Sequence, residues 1–368
     1  MYDMVIGGGG LELARPHTIK KFELVEKYVE SWAPKLLNHN NCTRIVYIDC
    51  MCNSGVYQNI EGSVVLGTAL RVANYLAKIM LDYPNKKATL FFRDICPKKV
   101  SLLKSHLPPT TANFSISIEC GDGNRFLKSS NVHREKNSSY LVFYDPYEAA
   151  IDWSALNPFL LGWGEVIINH MISDSVRAIP QVKSERAKNK YEQTYLATLE
   201  NLISVGEDKE LYEKRIHEVM MSLRGSSAGG YYIASFPFFN SKNALLYHLI
   251  QGSRSRVGFN LFKKTAWKTF GGKSSCKNVR SKGAQLQLDF DDTGIPTIST
   301  DEECYSLWDI ANYLYGTFRG KADVPVNVVW DALNHHPVFP ESGFRRDIKR
   351  ILEEDFKAHR TTKTISFC

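Results

Sequence analysis

The chain has 368 residues, a formal net charge of +7 and 43% hydrophobic residues, which is enough for roughly two domains and a sizeable core. The modest basic excess permits a polyanionic partner without demanding one, and eight cysteines lacking any Cys-x-x-Cys pair argue against a disulfide framework, a zinc site or an iron–sulfur site, so no metal is expected. No stretch has the ~20-residue apolar run of a membrane span and the first residues lack a signal peptide's basic and apolar regions, which predicts a soluble, cytoplasmic protein without membrane contact.

Phe22, Val25, Tyr28, Val29 and Trp32 recur at helical spacing from Lys20 to Trp32, with Pro34 expected to end the strongest part of that helix. Arg44 to Tyr57 then reads as a buried strand entering a tight loop: Ile45, Val46, Tyr47 and Ile48 are strand formers, Asp49 stands at the strand end, and Asn53, Ser54 and Gly55 turn the backbone. Gly62 to Lys78 predicts one long crossover helix. Strands are expected at Thr89–Arg93, Phe114–Glu119, Tyr140–Tyr144 and Glu165–Ile168, with a helix at Pro97–Leu107. Alternating strands and helices predict an α/β fold, a doubly wound, Rossmann-like parallel sheet.

Asp49, Asp94, Asp122, Asp145 and Asn169 each fall at or just past the carboxyl end of a predicted strand. One such residue alone is more simply a cap or turn former. Five in register point to a ligand crevice at the sheet's rim. The loop after Asp49 lacks the three-glycine dinucleotide fingerprint, which disfavours nicotinamide and flavin cofactors.

Residues 184–224 read as a charged, inserted helical pair split near Gly206, followed by two strands, Tyr231–Phe236 and Leu245–Ile250, and a helix around Phe259–Trp267. Between Glu218 and Asp289 no acid interrupts a basic run that includes Arg254, Arg256, Lys263 and Lys264, interleaved with aromatic residues. That pattern suits nucleic acid and equally suits a solvated helix face.

The expected organisation is a main domain over 1–288, a linker over 289–303 and a small unit over 304–368. Three striped helices and a terminal strand make that last unit winged-helix-like, with Arg345, Arg346 and Lys349 opposite the third helix's apolar stripe. Glu353, Glu354 and Asp355 offset that charge, leaving nucleic-acid contact and protein docking both open.

His17-Thr18 with Lys21, Tyr47-Ile48-Asp49 through Gly55, Gly62-Ser63, Asp94, Gly121-Asp122-Gly123-Asn124, Val142 through Tyr147 and Leu246-Tyr247-His248-Leu249 together resemble class I S-adenosylmethionine-dependent methyltransferases. They resemble more closely the three-Cys-motif partner (TcmP) family, from Arg15 to about Lys268. The resemblance implies S-adenosylmethionine as cofactor, held across Lys21, Asp49, Cys50, Met51, Asn53, Gly55, Asp94 and Asp122. In it, Lys21 would meet the cofactor carboxylate, Asp94 the ribose and Asp122 the adenine. Asp145, Pro146 and Tyr147 resemble the Asp-Pro-Pro-Tyr motif that presents an amino group for methylation, here with one proline, while Asn53 stands where the family tends to have glycine. A three-Cys-motif protein that looks like a radical enzyme is the implied partner.

Two functions follow as expectations: a methyltransferase acting on nucleic acid, and a non-catalytic nucleic-acid- or partner-binding subunit that keeps the same fold. No phosphate-binding loop is present and no Ser/His/Asp constellation can be placed. His170, His335 and His336 read as isolated loop and strand-end residues.

Overall fold

A computed structural model describes residues 11–206, 208–224, 230–277, 288–290, 296–298 and 304–367. After a two-residue strand β1 (Glu12–Leu13), Pro16 occupies the first turn of α1 (Pro16–Leu37), where its missing N–H costs nothing. The helix runs through Pro34, against expectation. The carbonyl that Pro34 deprives of an intrahelical donor belongs to Glu30, and the Tyr75 hydroxyl donates to it at 3.0 Å.

The chain continues through β2 (Arg44–Asp49), β3 (Val56–Gln58), β4 (Val64–Leu66) and α2 (Thr68–Ile79). Residues 64–66, expected to be helical, instead pair antiparallel with β3, which itself pairs with β1. The helix therefore starts only at Thr68. Next come β5 (Lys87–Asp94), α3 (Pro97–His106), β6 (Phe114–Cys120), α4 (Gly123–Ser129), β7 (Ser138–Tyr144), α5 (Trp153–Leu161) and β8 (Gly164–His170).

After α6 (Ile172–Ala178), the insertion forms three helices rather than a pair: α7 (Glu185–Tyr195), α8 (Leu199–Val205) and α9 (Lys209–Arg224). The extra break lies at Leu196, whose φ of 44° is left-handed and cannot continue a helix. The hairpin β9 (Tyr232–Phe239) and β10 (Leu245–Ser253) leads into α10 (Arg256–Thr269).

Seven strands form one sheet in the order β6-β5-β2-β7-β8-β10-β9. The first five run parallel, while β10 lies antiparallel to both its neighbours. The chain moves outward from β2 to β5 and β6, then returns to β2's other side for β7. Strand order thus reverses between β2 and β7, and the crevice of a doubly wound sheet opens at the carboxyl ends there. Period-two alternation covers both faces. Ile45 and Tyr47 join the apolar cluster of α1, α2 and α10, while Val46 and Ile48 join that of α4, α5 and α7–α9.

Beyond residue 304 lie α11 (Leu307–Phe318), opened by a Ser306–Asp309 capping box, α12 (Val326–Asp331) and α13 (Arg345–Glu354). Val324–Pro325, Thr364–Ser366 and His359–Arg360 form a three-stranded antiparallel sheet. These elements share one apolar cluster with α1 and α10, and Trp267 Nε1 donates to Val338 O at 2.9 Å. The linker expected at 289–303 falls mostly outside the described residues; of it, 296–298 pairs with 288–290. Among the described residues no helix is long and apolar enough to cross a membrane.

Candidate functional site at the carboxyl rim of the sheet

Asp49, Asp94 and Asp145 end or follow β2, β5 and β7, three adjacent strands, and so meet at the order reversal. Asp49 is buried and has no ion-pair partner among the described residues. Burial first, then Asp145 and Asp94, push its carboxyl well above the usual carboxylate range. Its Oδ1 accepts from Met51 N at 3.2 Å.

Asp94 fastens the loop that follows β2. Its Oδ2 accepts from Asn53 N at 3.0 Å and its Oδ1 from Cys96 N at 2.8 Å. Each oxygen keeps a second lone pair, so a ribose diol can still be received there.

Asp145 is committed differently from expectation. Its Oδ2 pairs with Lys21 Nζ at 2.5 Å, and its Oδ1 accepts from the Asn169 amide. Lys21, expected on a cofactor carboxylate, is thus the counter-ion of Asp145, and it also lies 5.3 Å from the Tyr247 ring centre.

Asp122 stands apart as the N-cap of α4, its Oδ1 accepting from Asn124 N at 2.8 Å and Arg125 N at 3.1 Å. Behind it, Gly123 presses on the first loop: a Cβ there would lie 2.3 Å from Cys50 O. Gly55, expected to let backbone approach a ligand, faces the core instead. At φ +70° its Cα abuts Leu103 and Leu70, where a Cβ would sit at 2.6 and 2.8 Å.

Pro146 is buried and Tyr147 is half exposed. The Tyr147 hydroxyl accepts from Asn53 Nδ2 at 2.9 Å and Lys99 Nζ at 3.0 Å, while Lys99 also pairs with Glu12 at 2.7 Å. Glu12, from the unforeseen β1, and Lys99 complete a polar lattice over the acids. Cys50 and Cys52 are buried, and burial raises both thiols, which makes them poor thiolates. Among the described residues no group of His, Cys, Asp or Glu could hold a metal ion.

The basic residues divide. Arg256 and Arg346 are exposed. Arg254 lies over the Trp163 ring at 4.7 Å, and Trp163, missed in the sequence, is 75% exposed. Lys264 packs along Gly343, Arg345 pairs with Glu341 at 2.5 Å, and Lys349 lies 5.8 Å from the Trp330 ring centre. Lys263 is the correction: it is fully buried, with Nζ donating to Leu333 O at 3.0 Å and His336 O at 2.7 Å. It ties the C-terminal elements to α10 and faces no solvent.

His170 ends β8 and His336 lies in a loop, as expected, but neither is isolated. His170 is buried beside Tyr195, its Nε2 2.8 Å from that hydroxyl, and pairs in register with His248 across the β8–β10 ladder. His336 stacks on Phe339. A constellation of Ser235, His248 and Glu213 also exists, assembled from β9, β10 and α9.

No protein family matches the chain, and no curated protein does. Solved structures similar to it include protein LPL1258 of Legionella pneumophila, at 9% identity over 65% of this chain and 85% of that one, with a TM-score of 0.38. Human methyltransferase-like protein 13, in complex with SAH, is similar at 8% identity over 69% and 92%, with a TM-score of 0.33. The putative RNA methyltransferase PH1948 of Pyrococcus horikoshii is similar at 10% identity over 63% and 83%, with a TM-score of 0.29.

Proposed function

We propose that this chain is an S-adenosylmethionine-dependent, methyltransferase-like protein that acts on nucleic acid and works beside a three-Cys-motif partner. The observation that supports this reading is the meeting of Asp49, Asp94 and Asp145 at the strand-order reversal with one lysine among them. A buried acid cluster short of positive charge suits a cationic ligand. S-adenosylmethionine fits that donor set, because it brings a sulfonium and an ammonium and carries no phosphate that would need a glycine cradle.

In this reading Asp49 and Asp145 face the cationic end of the cofactor, Asp94 receives the ribose hydroxyls, and Asp122 offers its outer oxygen to the adenine side. Lys21 moves between Asp145 and the cofactor carboxylate. When bound, the cofactor supplies an electrophilic methyl group. The protein's contribution is to orient the acceptor and exclude water. Arg256, Arg346 and Lys349 supply phosphate contacts, and an acceptor base in single-stranded or looped form needs no flipping.

The lattice of Asn53, Tyr147, Lys99 and Glu12 over the acids favours a second reading, a non-catalytic binding subunit of a defence or modification system. Calorimetry with S-adenosylmethionine tests the first step. Wild type should bind, and Asp94→Ala should weaken binding at least tenfold; no heat with wild type overturns the cofactor assignment. Binding without methyl transfer to RNA or denatured DNA supports the subunit reading.

A further inference from the structure

Of the six tryptophans, Trp163 is the exposed one, and it stands at the pole of the sheet opposite the acid rim. β8 starts beside it at Gly164 and ends at His170, next to the Asn169 amide that holds Asp145. The indole therefore lies about 20 Å from that rim, the length of a seven-residue strand.

Its exposure is built into the chain. Gly162 and Gly164 flank it, and a Cβ on either would lie 2.0 or 2.2 Å from the side chain of Tyr140. Tyr140 is itself buried and donates to Phe159 O at 2.6 Å. The link between α5 and β8 is thus pressed against a fixed ring, which leaves the side chain between the two glycines outside. Arg254 covers one side of the indole: its guanidinium carbon lies 4.7 Å from the ring centre, and its Nη1 donates to Leu161 O at 3.3 Å. The antiparallel register of β10 on β8, with Ser253 opposite Glu165, brings Arg254 there. An indole stacked on one side and three-quarters exposed keeps its other face open to solvent.

The charge around it is basic. Neither 153–164 nor 253–268 contains an acid. Arg256 opens α10 and is exposed, at a helix end whose dipole favours an acid over a cation, so helix stability does not explain it. On the other side, β7 runs parallel beside β8 from Ser138, and the exposed Arg134 and Lys136 stand just ahead of it at the same pole. Glu135 between them is paired with Arg44. Cations thus flank the indole on both sides along the amino edge of the sheet.

We propose that Trp163, braced by Arg254, is a stacking platform for an unpaired base of a single-stranded nucleic acid whose phosphates pass Arg256, Arg134 and Lys136. Every base has a π-face, so the platform reads no sequence but requires the base to be unpaired. That far from the acid rim, it holds a flank of the strand and not the acceptor nucleotide. This inference rests on the nucleic-acid reading above.

Two readouts on the full chain test it: fluorescence anisotropy of labelled oligo(dT) and oligo(U), and acrylamide quenching of tryptophan emission with and without unlabelled oligonucleotide. Trp163→Ala should weaken both oligonucleotides about tenfold or more and leave the logarithmic salt slope unchanged, because the indole meets a base and no phosphate. Trp163→Phe should keep most of the affinity, and binding of a duplex should not respond to either substitution. In wild type, bound oligonucleotide should shield the acrylamide-accessible emission, which Trp163→Ala lacks from the start. A wild type that binds the oligonucleotides while Trp163→Ala binds them equally well, or while acrylamide quenching is unchanged, overturns this inference and leaves the nucleic-acid reading standing. Shielding of Trp163 by a partner protein and not by oligonucleotide also overturns it, and makes the platform a protein-docking surface. A wild type that binds neither oligonucleotide overturns the underlying reading and this inference with it.

Discussion

Asn53 donates through Nδ2 to the hydroxyl of Tyr147 at 2.9 Å, joining the loop after the first long strand to the chain that leaves the fourth. The same amide reaches Glu12 Oε2 at 2.7 Å, and the backbone N–H of Asn53 reaches Asp94. Asn53 sits at φ 56°, a left-handed conformation that asparagine tolerates better than most residues and glycine tolerates without strain. One residue thus closes the lattice over the acid cluster.

Replacing Asn53 separates its backbone role from its side-chain role. Asn53→Gly loses the two Nδ2 bonds and the one that Oδ1 accepts from Ser54 N, and relieves the backbone; Asn53→Ala loses the same three bonds and keeps a Cβ in a disfavoured conformation. Alanine should therefore be less stable than glycine by roughly 1 kcal/mol in urea unfolding. Equal stabilities would mean that the left-handed geometry is not held in solution.

Lys21 and Asp145 are both largely shielded, with side-chain exposures of 10% and 21%. Removing either leaves the other charge poorly compensated. Lys21→Met and Asp145→Asn should each cost about 2–3 kcal/mol, and the double variant should cost less than the sum by more than about 1 kcal/mol. Additive costs would show that the pair is not formed.

The strands of the main sheet were legible because Ile45 to Ile48, Tyr140 to Tyr144 and Glu165 to Ile168 are apolar runs ended by a polar residue, as a strand buried on both faces must be. Residues 64–66 were not legible: three residues carry no period, and their pairing with β3 is decided by the loop between them. The acids at the rim could be read because each follows its own strand. Ser235, His248 and Glu213 could not, since a hairpin register and the return of α9 bring them together, and neither leaves a local pattern. Lys263 looked like its basic neighbours for the same reason; only the packing of the C-terminal elements on α10 buries it.

Stability should fall with acid. Burial holds the imidazoles of His17 and His336 down at about 4 and that of His170 at about 3, against an ordinary 6.5. Below pH 6.5 the unfolded chain binds protons that these native imidazoles refuse, so stability drops from there down through about pH 4. Three such groups give a slope of up to about 4 kcal/mol per pH unit. Asp49 and Glu165, raised by burial, are protonated in the native state first and work against that slope. Urea midpoints measured at pH 7.5, 6.5 and 5.5 should decline across the last interval, and a flat or rising midpoint would show that the loss from the imidazoles does not exceed the gain from Asp49 and Glu165.

Salt dependence distinguishes the exposed basic residues from the buried one. Arg256 and Arg346 are open to solvent, so each can neutralise one phosphate and release its counterion. For a single-stranded oligonucleotide followed by fluorescence anisotropy against KCl concentration, Arg256→Ala and Arg346→Ala should each reduce the logarithmic salt slope by about 0.7. Lys263→Met should leave the slope unchanged, because that ammonium is spent on the carbonyls of Leu333 and His336. Its effect should appear as a loss of about 1–3 kcal/mol in unfolding, because the His336 carbonyl is left without its donor while Leu333 O keeps only the His336 N–H. A reduced slope for Lys263→Met would place the lysine on the binding face, and unchanged slopes for both arginines would remove nucleic acid from α10 and α13.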